Sequence, residues 1–70
     1  MTPRFLTLAD VAEILNLSMS ATRSLVTSGE LPAIQIGGKR QWRVEEAQLE
    51  KYIAEQYQQT RERILKSELN

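Results

Sequence analysis

The sequence predicts a small, mainly helical domain with one β-hairpin and a long C-terminal helix. Two short segments carry apolar stripes at helical spacing, and each has capping residues at its ends. A Gly-Gly pair separates two stretches in which apolar and polar residues alternate, as in a hairpin. After Gly38 the chain contains neither glycine nor proline. We therefore expect one domain over residues 1–70, with a core over about 6–54 and a helical extension over about 55–67.

The first helix is predicted to follow a loose lead-in over residues 1–5. Thr7 is a good N-cap, and Asp10 stands three residues later, in a weaker form of the capping box. Asn16 is expected to end the helix, because Asn tolerates a left-handed conformation. Leu17 would then fill the core from the turn. The apolar stripe consists of Leu8, Val11, Ala12 and Leu15.

The second helix is predicted to begin after Ser18, which is another N-cap, and to stop at Gly29. Thr22, Leu25 and Val26 would lie on its buried face. About three residues join the two helices. This spacing is typical of a helix-turn-helix.

The segment "IQIGGKRQWRV" predicts the hairpin, with Gly37-Gly38 at its turn. We expect the inward face to consist of Ile34, Ile36, Trp42 and Val44. The tip and outward face would carry Lys39, Arg40, Gln41 and Arg43. Trp42 could stack on a nucleic-acid base or pack in the core. Its place in the alternation, beside Val44, favours packing.

The C-terminal helix is predicted to start at Glu45 and Glu46, although a strong N-cap is missing. Leu49, Tyr52 and Ile53 would dock on the domain. Apolar spacing continues past the domain through Ile53, Tyr57, Thr60 and Ile64. Two interpretations stay open: this row is a partner surface, or it belongs to a solvated polar tail, since it is short for a coiled coil.

Composition excludes several classes of function. The 70 residues include no cysteine and no histidine, so thiol and imidazole catalysis and the usual zinc ligands are excluded. We expect no enzyme activity, catalytic set, cofactor or metal. No long apolar segment predicts a membrane span or secretory signal, so a cytoplasmic location is expected. Net charge is zero, but residues 1–44 carry +2 and residues 45–70 carry −2.

These motifs together resemble the small excisionase-type helix-turn-helix proteins, which are similar to the DNA-binding domains of MerR-type regulators. The resemblance covers about residues 6–54. It depends on the Ser18 cap, the run "GELPA" over 29–33, the glycine-rich hairpin and the following "WRV" over 42–44. It implies a winged helix-turn-helix, with the second helix in the DNA major groove and the hairpin as a wing on the backbone or minor groove.

The resemblance implies a transcription regulator or, alternatively, a phage or mobile-element excisionase that acts as a recombination directionality factor. The implied recognition-helix residues are Ser18, Met19, Ser20, Arg23, Ser24 and Thr27. The implied wing contacts are Lys39, Arg40, Gln41 and Arg43. Double-stranded DNA is the expected partner, bound cooperatively by a homo-oligomer or a side-by-side array, with an integrase or another protein as a further partner.

The second helix departs from the family pattern, because Arg23 is its only charged residue, whereas family members often carry Arg or Lys on the exposed face of this helix. Direct base contacts are therefore expected to be few, and phosphate contacts to fall mainly on the wing. The same scarcity of charge leaves a second hypothesis open: a protein-interaction module that has kept the fold and lost DNA binding.

Overall fold

The computed structural model describes residues 3–69, and its architecture confirms the predicted fold class. Three helices surround a small antiparallel sheet, and the last helix is the longest. In chain order the elements are β1 (Phe5–Leu6), α1 (Leu8–Leu15), α2 (Met19–Thr27), β2 (Ile34–Ile36), β3 (Gln41–Glu45) and α3 (Glu46–Leu69).

The predicted caps of α1 are confirmed. The Thr7 hydroxyl accepts a hydrogen bond from the Asp10 backbone at 3.0 Å, and the Asp10 carboxylate accepts one from the Thr7 backbone at 3.0 Å. At the other end Asn16 adopts φ 55°, and the backbone of Leu17 donates to the Ala12 carbonyl at 2.9 Å. The left-handed Asn16 and the hydrogen bond from Leu17 together form a Schellman-type end. The expectation that Leu17 fills the core is wrong: its backbone closes the helix, and the residue remains 40% exposed.

Helix α2 packs one face into the core, as predicted. Ser18 caps it by accepting from the Ala21 backbone at 3.1 Å, and Gly29 follows its end with φ 85°. Thr22 is fully buried, and its hydroxyl donates to the Ser18 carbonyl at 2.9 Å. The buried hydrophobic core draws on both helices, the sheet and α3: Leu6, Leu8, Val11, Ala12, Val26, Leu31, Val44 and Leu49.

The sheet contains one strand that the sequence analysis did not predict. Its order is β1-β3-β2, and β1 pairs antiparallel with β3 through Phe5↔Glu45 and Leu6↔Val44. The assignment of residues 1–5 to a loose lead-in is therefore wrong at Phe5, whereas Met1 and Thr2 lie outside the described residues. This pairing also explains the missing N-cap of α3, because the Glu46 backbone donates to the Arg4 carbonyl at 2.8 Å.

The faces of the hairpin differ from the prediction. Val44 is fully buried and Trp42 packs partly buried against the core, but Ile34 and Ile36 are 49% and 47% exposed. The register pairs Ile34 with Arg43 and Ile36 with Gln41, so both isoleucines share the outward face. The physical reason is the length of the loop over residues 37–40. When the number of loop residues is even, Ile34 pairs with an odd-numbered residue of β3, such as Arg43, and therefore lies on the same face as that residue.

Helix α3 begins on the domain and then leaves it. Leu49 is buried, and Tyr52 and Ile53 pack partly buried against the core, as predicted. Over 24 residues the helix is about 36 Å long, at 1.5 Å per residue. Its projection accounts for the 51 Å length of the molecule, against 31 Å and 19 Å in the other two directions.

Candidate nucleic-acid interface

The six predicted recognition residues lie on the outward face of α2 and at its N-cap, Ser18. Ser18, Met19, Ser20, Arg23, Ser24 and Thr27 are exposed. The buried face on the other side, with Thr22 and Val26, holds the helix on the core. Arg23 is therefore free to approach a ligand without leaving its place in the fold.

Several hydroxyl groups on α2 bind their own helix. Ser24 donates to the Ser20 carbonyl at 3.1 Å, and Thr27 donates to the Arg23 carbonyl at 2.9 Å. The Ser18 hydroxyl accepts from the Ala21 backbone as the N-cap. A hydroxyl has one proton, so Ser24 and Thr27 in these rotamers can offer a ligand only their lone pairs. This arrangement limits what the polar face can contribute to recognition.

The wing presents its cations from a short, constrained loop. Gly37 and Arg40 both have positive φ, 80° and 50°, and the Arg40 backbone donates to the Gly37 carbonyl at 3.1 Å. Gly38 does not adopt positive φ, so Arg40 rather than the second glycine takes the left-handed place in the turn. Lys39 and Arg40 are exposed at the tip.

Arg43 behaves differently from the other two wing cations. It is half-buried, and its guanidinium donates to the Trp42 carbonyl at 2.7 Å and to the Gln41 side chain at 3.0 Å. A guanidinium has five N–H donors, so some remain for a phosphate. The two hydrogen bonds nevertheless fix the position of the Arg43 guanidinium, and the second one also orients the Gln41 side chain.

One cleft brings α2 and the wing together. It has a volume of about 340 Å³ and lies between the start of α1, the start of α2 and β3 with its loop. Its lining residues are Leu8, Ala9, Met19, Arg23, Lys39, Arg40, Gln41, Trp42 and Arg43. The lining thus contains four cationic side chains from two elements and no acidic one. Such a site is suited to an anionic ligand.

The cleft includes some predicted site residues and leaves others aside. Met19, Arg23 and all four predicted wing residues line it, whereas Ser18, Ser20, Ser24 and Thr27 do not. Leu8 and Ala9 were missed as site residues, because sequence analysis assigned the start of α1 only a structural role. Trp42 contributes to both the core and the cleft.

The acidic residue Asp10 follows Ala9 of the cleft lining in the chain. Hydrogen bonds from Thr7 lower the pKa of Asp10 below its usual value of 3.8, and the charges of Arg4 and Arg43 lower it further. Asp10 is therefore a carboxylate at neutral pH. Asp10 caps α1 and does not line the cleft, so the charged side chains of the lining itself are all cationic.

A second, apolar surface lies on α3. A groove of about 250 Å³ is lined by Leu15, Tyr52, Ile53, Gln56, Tyr57 and Thr60. A neighbouring groove of about 310 Å³ continues it along the helix, lined by Tyr57, Thr60, Arg61, Ile64, Leu65 and Glu68. Tyr57 is 71% exposed. Burial, with a smaller effect from Glu30, raises the pKa of Tyr52 above its usual value of 10.0, so this phenol is neutral at physiological pH.

The three helices, the wing and the shared cationic cleft place the molecule in the class of winged helix-turn-helix domains. The chain belongs to the helix-turn-helix domain family, whose model matches residues 5–57. Domains of this kind typically bind DNA and are not enzymes. No curated protein and no solved structure shows significant similarity to the chain. Among the described helices, none combines the length and apolar composition that crossing a membrane requires.

Proposed function

We propose that this protein is a small transcription regulator that binds double-stranded DNA with α2 in the major groove and the wing on the backbone or minor groove. The observation that carries the proposal is the cleft in which Arg23 of α2 faces the same space as Lys39 and Arg40 of the wing. A recognition helix and a cationic flank on one side of the molecule can contact base edges and phosphates at once.

The strength of binding follows from the number of phosphate contacts. Each neutralised phosphate contributes about 0.9 to the slope of log K against log salt. Engagement of Lys39, Arg40 and Arg43 gives a slope of about −2.7. This is weak for a single copy, so occupancy of a DNA site at physiological salt requires several copies that bind cooperatively, side by side or as a homo-oligomer.

The resemblance to excisionase-type proteins supports an alternative within DNA binding: a recombination directionality factor of a phage or mobile element, with an integrase as its protein partner. The residues named above serve both roles, since each role needs repeated weak contacts with DNA. Specific retention of a purified integrase on protein-coated DNA would favour the directionality factor over the regulator.

The α3 surface supports another alternative, in which the chain acts as a protein-interaction module. The row Ile53, Tyr57, Thr60 and Ile64 lies along two apolar grooves. Exposed apolar patches of this kind often mark contacts with another protein. We propose this row as the partner surface, used by a second copy or by another protein, both in this alternative and in the two DNA-binding roles.

Selection of bound duplexes from a random library, at several protein concentrations, tests the proposal. The duplexes that the full chain retains should share a recurrent motif. Their occupancy should rise more steeply with protein concentration than it would for binding at a single site. Loss of retention on every duplex, together with a stable protein complex in sedimentation, would favour the interaction module.

The wing assignment is tested by Lys39→Ala combined with Arg40→Asn, since Asn keeps the left-handed turn. Loss of two phosphate contacts should lower affinity roughly 60-fold at 0.1 M salt and reduce the slope by about 1.8. The matched control removes the same charge from α3 outside its apolar grooves, with Arg63→Ala plus Lys66→Ala. Equal losses in the two double variants would contradict a specific role for the wing.

A further inference from the structure

Met19 occupies an unusual place for an apolar side chain. It is the first residue of α2 and is 45% exposed. It lines the cationic cleft together with Arg23 and Arg40. Residues near the start of a recognition helix are the ones that contact base edges. An exposed methionine at this point is therefore placed to meet an apolar group on DNA.

The polar side chains of α2 limit which groups on DNA this helix can contact from the cleft. The Ser24 and Thr27 protons are donated to the helix backbone, and neither side chain lines the cleft. The α2 side chains that line the cleft are Met19, with its flexible thioether, and Arg23, with its guanidinium fork. The fork suits guanine O6 and N7. In the major groove, the apolar group that a base presents is the 5-methyl of thymine.

We propose that Met19 contacts the 5-methyl group of a thymine in the major groove, beside a guanine bound by Arg23. The inference rests on the proposed DNA binding and adds a sequence preference to it. Residues four apart on a helix are separated by about 6 Å along its axis, and base pairs are spaced about 3.4 Å apart. The thymine therefore lies within about two base pairs of the guanine.

The experiment begins with the motif selected from the random library and replaces each thymine in turn by deoxyuridine, which lacks only the methyl group. For the wild-type chain, one replacement near the guanine should weaken binding about fourfold, the factor for one methyl-sized apolar contact. For Met19→Ala the same replacement should have no effect. Met19→Leu keeps an apolar side chain and should retain sensitivity to the methyl group.

Two internal controls make the result specific. Deoxyuridine at the other thymines of the motif should change binding equally little for wild type and Met19→Ala. Circular dichroism should give the same unfolding temperature for both chains within about 4 °C, because residue 19 is exposed and a surface substitution changes stability by less than about 0.5 kcal/mol.

The outcomes separate this inference from the function on which it rests. A motif that Arg23→Ala weakens, but with no methyl-sensitive thymine or with equal sensitivity in Met19→Ala, overturns the inference and leaves DNA binding in place. If duplexes are retained but share no motif, the inference is also overturned and DNA binding still stands. Loss of retention on all duplexes overturns both.

Discussion

Helix α2 and the wing face the same cleft, but they are built in opposite ways. Helix α2 is capped by Ser18, anchored by the buried Thr22 and Val26, and carries one charge. The wing has cations at an exposed tip and a loop with two residues at positive φ. A rigid, nearly uncharged element holds side chains in fixed positions, whereas an exposed cationic loop attracts any phosphate. If the protein binds DNA as proposed, we therefore expect α2 to supply the discrimination between sequences and the wing to supply most of the affinity.

The largest effect is expected where the two regions join. Leu31 lies in the chain segment between them and is fully buried in the core, and its backbone donates to the Leu25 carbonyl at 3.0 Å. Leu31→Ala should lower the free energy of unfolding by about 2–5 kcal/mol, the range for a buried leucine. A domain this small has only ~3–5 kcal/mol in total, so much of the protein would unfold. Urea unfolding measures the change, and Ile14→Ala on the exposed face of α1 is the control, with a change under about 0.5 kcal/mol.

The assignment of discrimination to α2 is tested by Arg23→Lys, which keeps the charge and removes the planar fork. Preference for the guanine should fall by about 1–3 kcal/mol, while the salt dependence stays unchanged. Competition between duplexes that differ at one base pair measures this preference. If Arg23→Lys instead weakened all duplexes equally, α2 would act through phosphates and the contrast with the wing would fail.

Arg40 provides a test in which stability and binding change in opposite directions. A side chain at φ 50° is strained by about 1–2 kcal/mol, and glycine removes this strain but loses about 0.5–1 kcal/mol through the unfolded chain. Arg40→Gly should therefore raise the free energy of unfolding by up to about 1.5 kcal/mol and still weaken DNA binding. Denaturant unfolding of the variant checks the increase in stability, and salt-dependent binding of the same sample checks the loss of DNA affinity. A variant that is less stable and binds normally would contradict a functional reason for the arginine.

The smallest effect is expected from Asp10, outside both regions. Because its pKa is lowered in the folded chain, its stabilising bonds are fully present above its ordinary pKa of 3.8 and are lost as pH falls through the lower folded value. The unfolding temperature of the wild type should therefore exceed that of Asp10→Asn at pH 7. The difference should shrink below about pH 3.8. A difference that is constant down to pH 2.5 would show that the carboxylate is not the stabilising group.

Local signals predicted much of this fold. Thr7, Ser18, Asn16 and Gly29 marked the helix ends correctly, because a cap acts within three or four residues of the chain. Strand β1 was missed because two residues are too few for an alternation, and its pairing partner lies about forty residues away.

The candidate site was predictable in composition but not in assembly. The cations of the wing and Arg23 stood out by residue type, and the structure brings them into one cleft. That Leu8 and Ala9 also line it depends on how α1 packs beside α2, a long-range property. The inward placement of Ile34 and Ile36 was wrong because alternation within each strand does not determine which residues pair across the hairpin.

The four-residue loop of the wing also constrains how this protein can change over generations. Strand β3 is held by β1 and by the buried Val44, so its faces are set. A single inserted or deleted loop residue would shift the pairing by one and turn Ile34 and Ile36 from the side of Arg43 to the side of Trp42. Insertions and deletions in pairs keep the faces. Length variation in this loop should therefore occur in steps of two.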